Sequence, residues 1–465
     1  PLPPTSPPTP PLPPGPPTPP AHPPFLPAPA LPPLAPGTAI AESVTAIRDA
    51  LEQTPAPQEI NIYLPPGTHV HLDAPLTVRN NTIVRLWSSS SVQQRRLAEV
   101  MPAATAADDA LAPAAVIDGQ HLWRLFDVHG RLEIDGVHLA RGRAQKGGAF
   151  FVRKGGSVDV ANALISECSA AGDDGDSYGG AAYLSPSAVG LALRQTSVRG
   201  CAATNSRSGG KASGGAIYAL GGNVSLQASS IIDSSASASD AALGTGGALF
   251  VDGNSASVLL ADRSQLARNH ASGEGSALAV MRGSVTYVLP GPPGTYVAGL
   301  KCSVYRQGCA RDVKGNIVNE TCRATEDECS VTPGADASVD SVACMPELRN
   351  QPCDWETAPE LLGKLVEALP IGSIEGDYPR PCAAGVLGSN ASSLQMSSLC
   401  AGLCPAGQLC PQSATISALA CPRGHACPTG SAVAVPCHEG SYSSATNLTS
   451  ADECTKTDPG FFAPT

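Results

Sequence analysis

Five times between residues 147 and 277 a glycine corner opens a short apolar run. The copies are Gly147-Gly148-Ala149, Gly179-Gly180-Ala181, Gly214-Gly215-Ala216, Gly246-Gly247-Ala248 and a weaker Gly275-Ser276-Ala277, at steps of 32, 35, 32 and 29 residues. A repeat of this length, with a strand after each corner, marks a coil that stacks on itself. One such unit cannot enclose its own apolar face, so the interior is buried only by piling turn on turn.

Two further columns carry the repeat. Val158, Leu191, Val224, Val258 and Val285 form one, and Val160, Leu193, Leu226, Leu260 and Tyr287 follow two residues later. Asp159, Ala192, Ser225, Leu259 and Thr286 lie between them. Alternation at period two with the apolar positions kept is a strand buried on one face. A third column reads Ile165, Val198, Ile232 and Leu266, followed by Cys168, Cys201, Ser235 and Asn269. Three strands per turn, each in register with its counterpart one turn away, predict a mainly β chain folded as a parallel β-helix. After each glycine pair, Phe150, Ala182, Ile217, Leu249 and Leu278 are expected to point inward, and Phe151, Tyr183, Tyr218 and Phe250 outward. The segments Ser169 to Tyr178, Ala202 to Ser213, Ser234 to Thr245 and His270 to Glu274 are expected as loops projecting from one side.

Upstream, Val44, Ile47, Ala50 and Leu51 sit at helical spacing within Ser43 to Gln53, which suits an amphipathic cap over the open end. Strands of early turns are expected at Ile60 to Leu64, Leu76 to Val78, Thr82 to Leu86, Ala115 to Ile117, Leu125 to Val128 and Leu132 to Ile134, with a loop from Trp87 to Pro113. Twenty of the first 36 residues are proline, a run that excludes helix and sheet and reads as an extended spacer. At ~3.1 Å per residue it would reach about 110 Å. Pro7-Pro8-Thr9-Pro10-Pro11 resembles the tracts of hydroxyproline-rich wall glycoproteins.

Net charge of −11 offers no footprint for nucleic acid, and no eighteen-residue apolar run reads as a membrane span. Of 16 cysteines, 14 lie between Cys302 and Cys454. Density of that kind in a loop-rich segment implies disulfides in an oxidising compartment, hence an extracellular chain. Metal ligation is not expected, because no C-x-x-C spacing accompanies His425 and His438. Sequons at Asn80, Asn223, Asn319, Asn390 and Asn447 agree with secretion.

Cys404-Pro405-Ala406-Gly407-Gln408-Leu409-Cys410 and Cys421-Pro422-Arg423-Gly424-His425-Ala426-Cys427 share the pattern C-P-x-G-x-x-C, with Cys437 and Cys454 following. Residues 400–465 resemble the ephrin-receptor-like cysteine-rich module. Asp458-Pro459-Gly460-Phe461-Phe462 continues the pattern, but Thr457 and Ala463 replace both cysteines at the six-residue offset. Paired loss is what a shared bond would leave. On that footing the bonds expected are Cys404–Cys410, Cys421–Cys427 and Cys437–Cys454. The eight cysteines from Cys302 to Cys400 allow 105 pairings. Cys168 and Cys201, stacked neighbours ~4.8 Å apart, are expected to be joined, with two buried thiols lining a corner as the alternative.

The corner repeat resembles the right-handed parallel β-helix of pectate lyases, polygalacturonases and adhesins. Its G-G-A-aliphatic step is most similar to polymorphic outer-membrane adhesin repeats, whose F-x-x-N partner is approached here only by Leu266-Ala267-Arg268-Asn269. The order of parts resembles large algal and protist surface proteins. It divides as a proline-rich spacer (1–37), a β-helix (38–298), a cysteine-rich connecting region (299–399) and ephrin-receptor-like repeats (400–465). Resemblance of fold does not transfer activity.

A polysaccharide lyase or glycoside hydrolase on this scaffold would need acidic groups aligned on successive turns. The column of Asp159 forms no acidic stripe; Asp118, Asp127 and Asp135 sit in early turns, but Asp118-Gly119 and Asp135-Gly136 read first as turns. The acidic run Asp173-Asp174-Gly175-Asp176 reads first as a solvated loop and second as a Ca²⁺ site. No catalytic set, cofactor or metal is therefore expected. The expectation is a noncatalytic surface or matrix ectodomain, structural, adhesive or glycan-binding, with a polysaccharide-degrading enzyme as the alternative. Its partners would be glycans or other surface and matrix proteins. Phe151, Tyr183, Tyr218 and Phe250 form a row that could stack on sugar rings, or on one another.

Overall fold

The computed structural model describes residues 38–53, 58–88, 115–172, 175–297, 366–369, 372–395 and 398–458. The chain divides into Pro1–Pro36 and Gly37–Thr465. The spacer expected at the N-terminus, the sequon at Asn319, Asp173-Asp174 and the cysteines from Cys302 to Cys353 lie outside the described residues.

The coil is a parallel β-helix. Val158 pairs in register with Leu191, Leu191 with Val224, Val224 with Val258 and Val258 with Val285. All five side chains are buried, as are Val160, Leu193, Leu226, Leu260 and Tyr287. Branched side chains suit this arrangement because each packs on its equivalent one turn away, and burying one contributes about 1.5–3 kcal/mol. The helix Val44–Glu52 is capped by Ser43, whose hydroxyl accepts from the Ala46 amide, and it buries Ile47, Ala50 and Leu51 against the core.

Both glycines of each corner have a geometric cause. The first takes φ between +63° and +73° in all five copies, a region closed to most side chains. The second has room for no Cβ. One built at Gly180 would lie 2.2 Å from the Gly215 carbonyl oxygen of the next turn, and one at Gly215 would lie 2.0 Å from that of Gly247. In the last turn Ser276 replaces this glycine, and there its hydroxyl accepts instead from the amide of Gly376 at 2.7 Å. The fifth copy is degenerate because no further turn sits on it.

Several expectations are corrected. The turns between Phe126 and Thr245 have more than three strands, because the segments expected as loops there begin or end in pairing. Ser169–Ala171, Ala202–Asn205, Ser235–Ala238 and His270–Ala271 join Arg143–Ala144 in a 5-stranded sheet, and Ser177–Tyr178, Ala212–Ser213 and Gly244–Thr245 make a 3-stranded one. The register partner of Val198 is Ile231, not Ile232, and the corner position after it is Ser234, not Ser235. The loop expected from Trp87 is strand as far as Ser88. Thr38–Ile40 and His69–His71 are strands that the pattern did not show.

Two corners turn largely on left-handed residues that are not glycine, Asn162, Gln195 and Ala228 in one and Arg141, Glu167, Asp233 and Arg268 in the other, with Gly136 and Gly200 at the equivalent positions of single turns. Each such non-glycine residue costs ~1–2 kcal/mol. The buried groups that follow recover hydrogen bonds in a ladder. Thr196, Ser229 and Ser264 hydroxyls donate to the carbonyls of Arg194, Gln227 and Ala261. The Ser229 and Ser264 hydroxyls also accept from the amides of Thr196 and Ser229, both at 3.1 Å.

The far end of the coil is covered by the chain returning. Val366–Leu369 and Gly372–Ile374 run antiparallel to Leu278–Val288. Leu266 and Tyr378 exchange backbone hydrogen bonds of 2.8 Å, and the Glu375 carboxylate accepts from the amides of Gly275 and Ser276. An otherwise open strand edge is thereby paired. Beyond it the disulfides are Cys382–Cys400, Cys404–Cys410, Cys421–Cys427 and Cys437–Cys454. Two-residue antiparallel pairings such as Gln408–Leu409 with Leu419–Ala420 recur here without an aliphatic core. Crosslinks take the core's place, the six-residue loops each contributing ~2.4 kcal/mol in the chain-entropy model.

Candidate functional site

The outer face of the early turns gathers polar side chains around one buried carboxylate. In the strand His69–His71 the apolar Val70 points inward, which puts both histidines on the outer face. His71 is in register with Asp118 of the next turn, and Asp118 with Ala140 of the one after. Asp118 ends its strand in a turn, its Oδ1 accepting from the Gln120 amide at 2.8 Å. Arg141, in the left-handed corner beyond Ala140, donates to both carboxylate oxygens, through Nε at 3.0 Å and through Nη2. His69 Nε2 lies 3.2 Å and His71 Nδ1 3.4 Å from Asp118 Oδ2.

Asp118 is fully buried although it faces outward, while the histidine side chains are 46% and 53% exposed. Burial opposes its ionisation, but the hydrogen bonds from Arg141 and the Gln120 amide outweigh that and bring its pKa down to about 2. An open depression of about 410 Å³ lies alongside, lined by His71, Gln120, His121 and Arg141. One strand further, His138 Nε2 is 2.8 Å from the Ser166 hydroxyl. Burial lowers the pKa of His138, against the pull of Glu167 and Asp118. In the sequence Asp118-Gly119 reads as a turn, and the repeat pattern assigns nothing to His69 and His71. The alternation His69-Val70-His71 was the signal that could have found them.

The aromatic row lies outside the main core but is not open. Tyr183 and Tyr218 are 6% exposed and Phe250 8%, forming a second cluster with Ala279. Tyr183 stacks on Tyr218 at 5.6 Å with 6° between planes, and Tyr218 on Phe250 at 5.1 Å with 9°. Tyr178 covers Tyr218 at 4.5 Å, and Arg153 lies 3.8 Å over the face of Phe151. The rings stack on one another and on cations.

Cys168 and Cys201 are free, buried thiols, against the expected bond. Their neighbours Ser169 and Ala202 are in parallel register, which aligns the Cα–Cβ bonds. Cβ atoms held at the ~4.8 Å strand spacing fall outside the usual ~3.5–4.5 Å of a disulfide. Each thiol instead donates to the carbonyl two residues back, that of Ser166 or Arg199. Asn80, Asn223, Asn390 and Asn447 are exposed, although the Asn223 side chain accepts from the Ser257 hydroxyl at 2.7 Å. Asp176 accepts from the Lys211 amide and the Tyr178 hydroxyl. No helix among the described residues is long and apolar enough to cross a membrane.

Comparison with protein-family models, with curated proteins and with solved structures returns no match.

Proposed function

We propose that this chain is a noncatalytic extracellular surface or matrix protein whose β-helix serves as a rigid adhesive or structural face. The observation that carries this reading is the use made of the outer carboxylates. Asp118, Asp127, Glu133, Asp233 and Asp252 each accept from an arginine on a neighbouring turn: Arg141, Arg153, Arg85, Arg268 and Arg282. Asp127 and Asp233 are held below the usual carboxylate range. Burial opposes this at Asp127 and Arg153 outweighs it, while at Asp233 the Arg268 hydrogen bond leads. A glycosidase acid needs the opposite shift. These acids act as clamps between turns. The four C-terminal disulfides fit an oxidising compartment.

A polysaccharide-cleaving enzyme is the second reading, favoured by the convergence of histidine, arginine and carboxylate at Asp118. Incubation with pectin, alginate and cell-wall extracts separates the two. The reading expects no reducing ends and no unsaturated products. Their release by the parent protein, and not by Arg141→Gln, would replace it with the enzyme.

A further inference from the structure

We infer that His69, His71 and Asp118 form a binding site for a divalent transition-metal ion of the zinc class. One donor atom from each of His69, His71 and Asp118 lies within 4.8 Å of the other two. Zinc bonds to nitrogen and oxygen are ~2.0–2.2 Å, which places tetrahedral ligand atoms about 3.3 Å apart. The two histidine-to-carboxylate separations, 3.2 and 3.4 Å, match that edge. The third edge, between the imidazole donors, is no longer than 4.8 Å, and both rings are half-exposed. The imidazoles are already side by side, with centroids 4.3 Å apart.

The histidines are surplus to the structural needs of Asp118. That carboxylate already accepts two hydrogen bonds from Arg141 and one from the Gln120 amide. Such partners are the outer shell that orients a ligating carboxylate and keeps it ionised. Nitrogen and carboxylate donors suit zinc and its neighbours better than the hard cations, which prefer oxygen alone. Three protein ligands leave a position for water or another small ligand. The depression bounded by His71, Gln120, His121 and Arg141 gives it room. The scaffold is rigid, since each ligand sits in or at the end of a paired strand.

The full chain, stripped with chelator, is dialysed against zinc alone, and bound zinc is measured by elemental analysis. A parallel sample is titrated with Co²⁺. The parent should take up one more equivalent of zinc than a His69→Ala/His71→Ala variant. Its affinity at that site should exceed the variant's by at least ~100-fold, beyond the ~10–100-fold that loss of an outer-shell partner costs. Arg141→Gln should fall within that smaller range. The cobalt adduct should show the intense visible bands of a four-coordinate site, and the double variant should lack them. Both histidines are exposed enough for the variant to fold, which an unchanged metal-free melting curve establishes. Equal zinc uptake by parent and variant, or no uptake by the parent at millimolar zinc, overturns the site and leaves a hydrogen-bonded histidine pair.

Discussion

Replacing Gly215 by alanine should break the stack locally, because the position has no space for one carbon. A Cβ there would lie 2.0 Å from the Gly247 oxygen and 2.5 Å from the carbonyl carbon and oxygen of Ser235. All three are backbone atoms, so no side chain can swing aside. Relief requires the turns to part by about an ångström, which stretches the hydrogen bonds Gly215 N to Gly246 O and Gly180 N to Gly215 O, 2.9 and 3.0 Å long. Overpacking of a well-filled interior typically costs ~1–3 kcal/mol, and an intrusion into backbone belongs at or above the top of that range. At roughly 2–4 °C per kcal/mol, the melting temperature should fall by about 6–12 °C. Ser276→Ala is the control. It occupies the same place in the last turn and loses the acceptor for Gly376 and a hydroxyl partner of Glu375, worth about 1 kcal/mol each. Thermal unfolding followed by circular dichroism reads both. If Gly215→Ala melts within about 2 °C of the parent, or Ser276→Ala is equally damaging, the contact between turns does not dictate the glycine.

Three further outcomes are expected. Cys168 and Cys201 should resist alkylation in native, unreduced protein and react after unfolding without reductant; burial raises the Cys201 thiol pKa further, and protection persisting after unfolding would mean a disulfide. Asp127→Asn should destabilise at neutral pH by no more than about 1 kcal/mol, since Arg153 is 39% exposed. The folded pKa of Asp127 is depressed, so its contribution is full above the unfolded value near ~3.9 and disappears as pH falls through the lower folded value. Denaturant melts of parent and variant should therefore converge on acidification below ~3.9, and a gap that widened there would contradict the sign. Tyr218→Ala should lower the melting temperature, because a ring packed against Tyr183, Phe250 and Tyr178 is lost, at ~3 kcal/mol or more. It should leave glycan-array binding unchanged, and selective loss of a glycan signal with an unchanged melt would restore the row as a sugar platform.

The coil was legible where its physics repeats in residue type. Aliphatic columns and glycine corners recur because every turn meets the same steric problem. Legibility failed where the geometry repeats and the residue does not. Asn162, Gln195 and Ala228 share a left-handed backbone and nothing in their side chains announces it. The slip from Ile231 to Ile232 has a related origin. The turn opened by Gly246 and Gly247 rounds its corner on two consecutive left-handed residues, Asp262 and Arg263. Its extra residue, carried back one turn, selects the wrong isoleucine. The Asp118 cluster was hidden by chain distance, since His71 meets Asp118 only after register is restored across the segment 89–114. The disulfide expected between Cys168 and Cys201 failed on direction: spacing permitted it, and parallel Cβ vectors did not.

The register of the stack is most directly tested by a distance between Glu59, which is exposed, and Ser257, which is half-buried. They stand six steps apart on one column that runs through Ile83, Arg131, Ser157, Gly190 and Asn223. Six steps of ~4.8 Å place them about 29 Å apart, although 198 residues separate them in sequence. Spin labels on unnatural residues at the two positions leave every cysteine intact for pulsed electron resonance. A single narrow distribution near that value, broadened by label reach, is the expected result. A maximum beyond about 40 Å, or a broad featureless distribution, would contradict turns stacked in register at strand spacing.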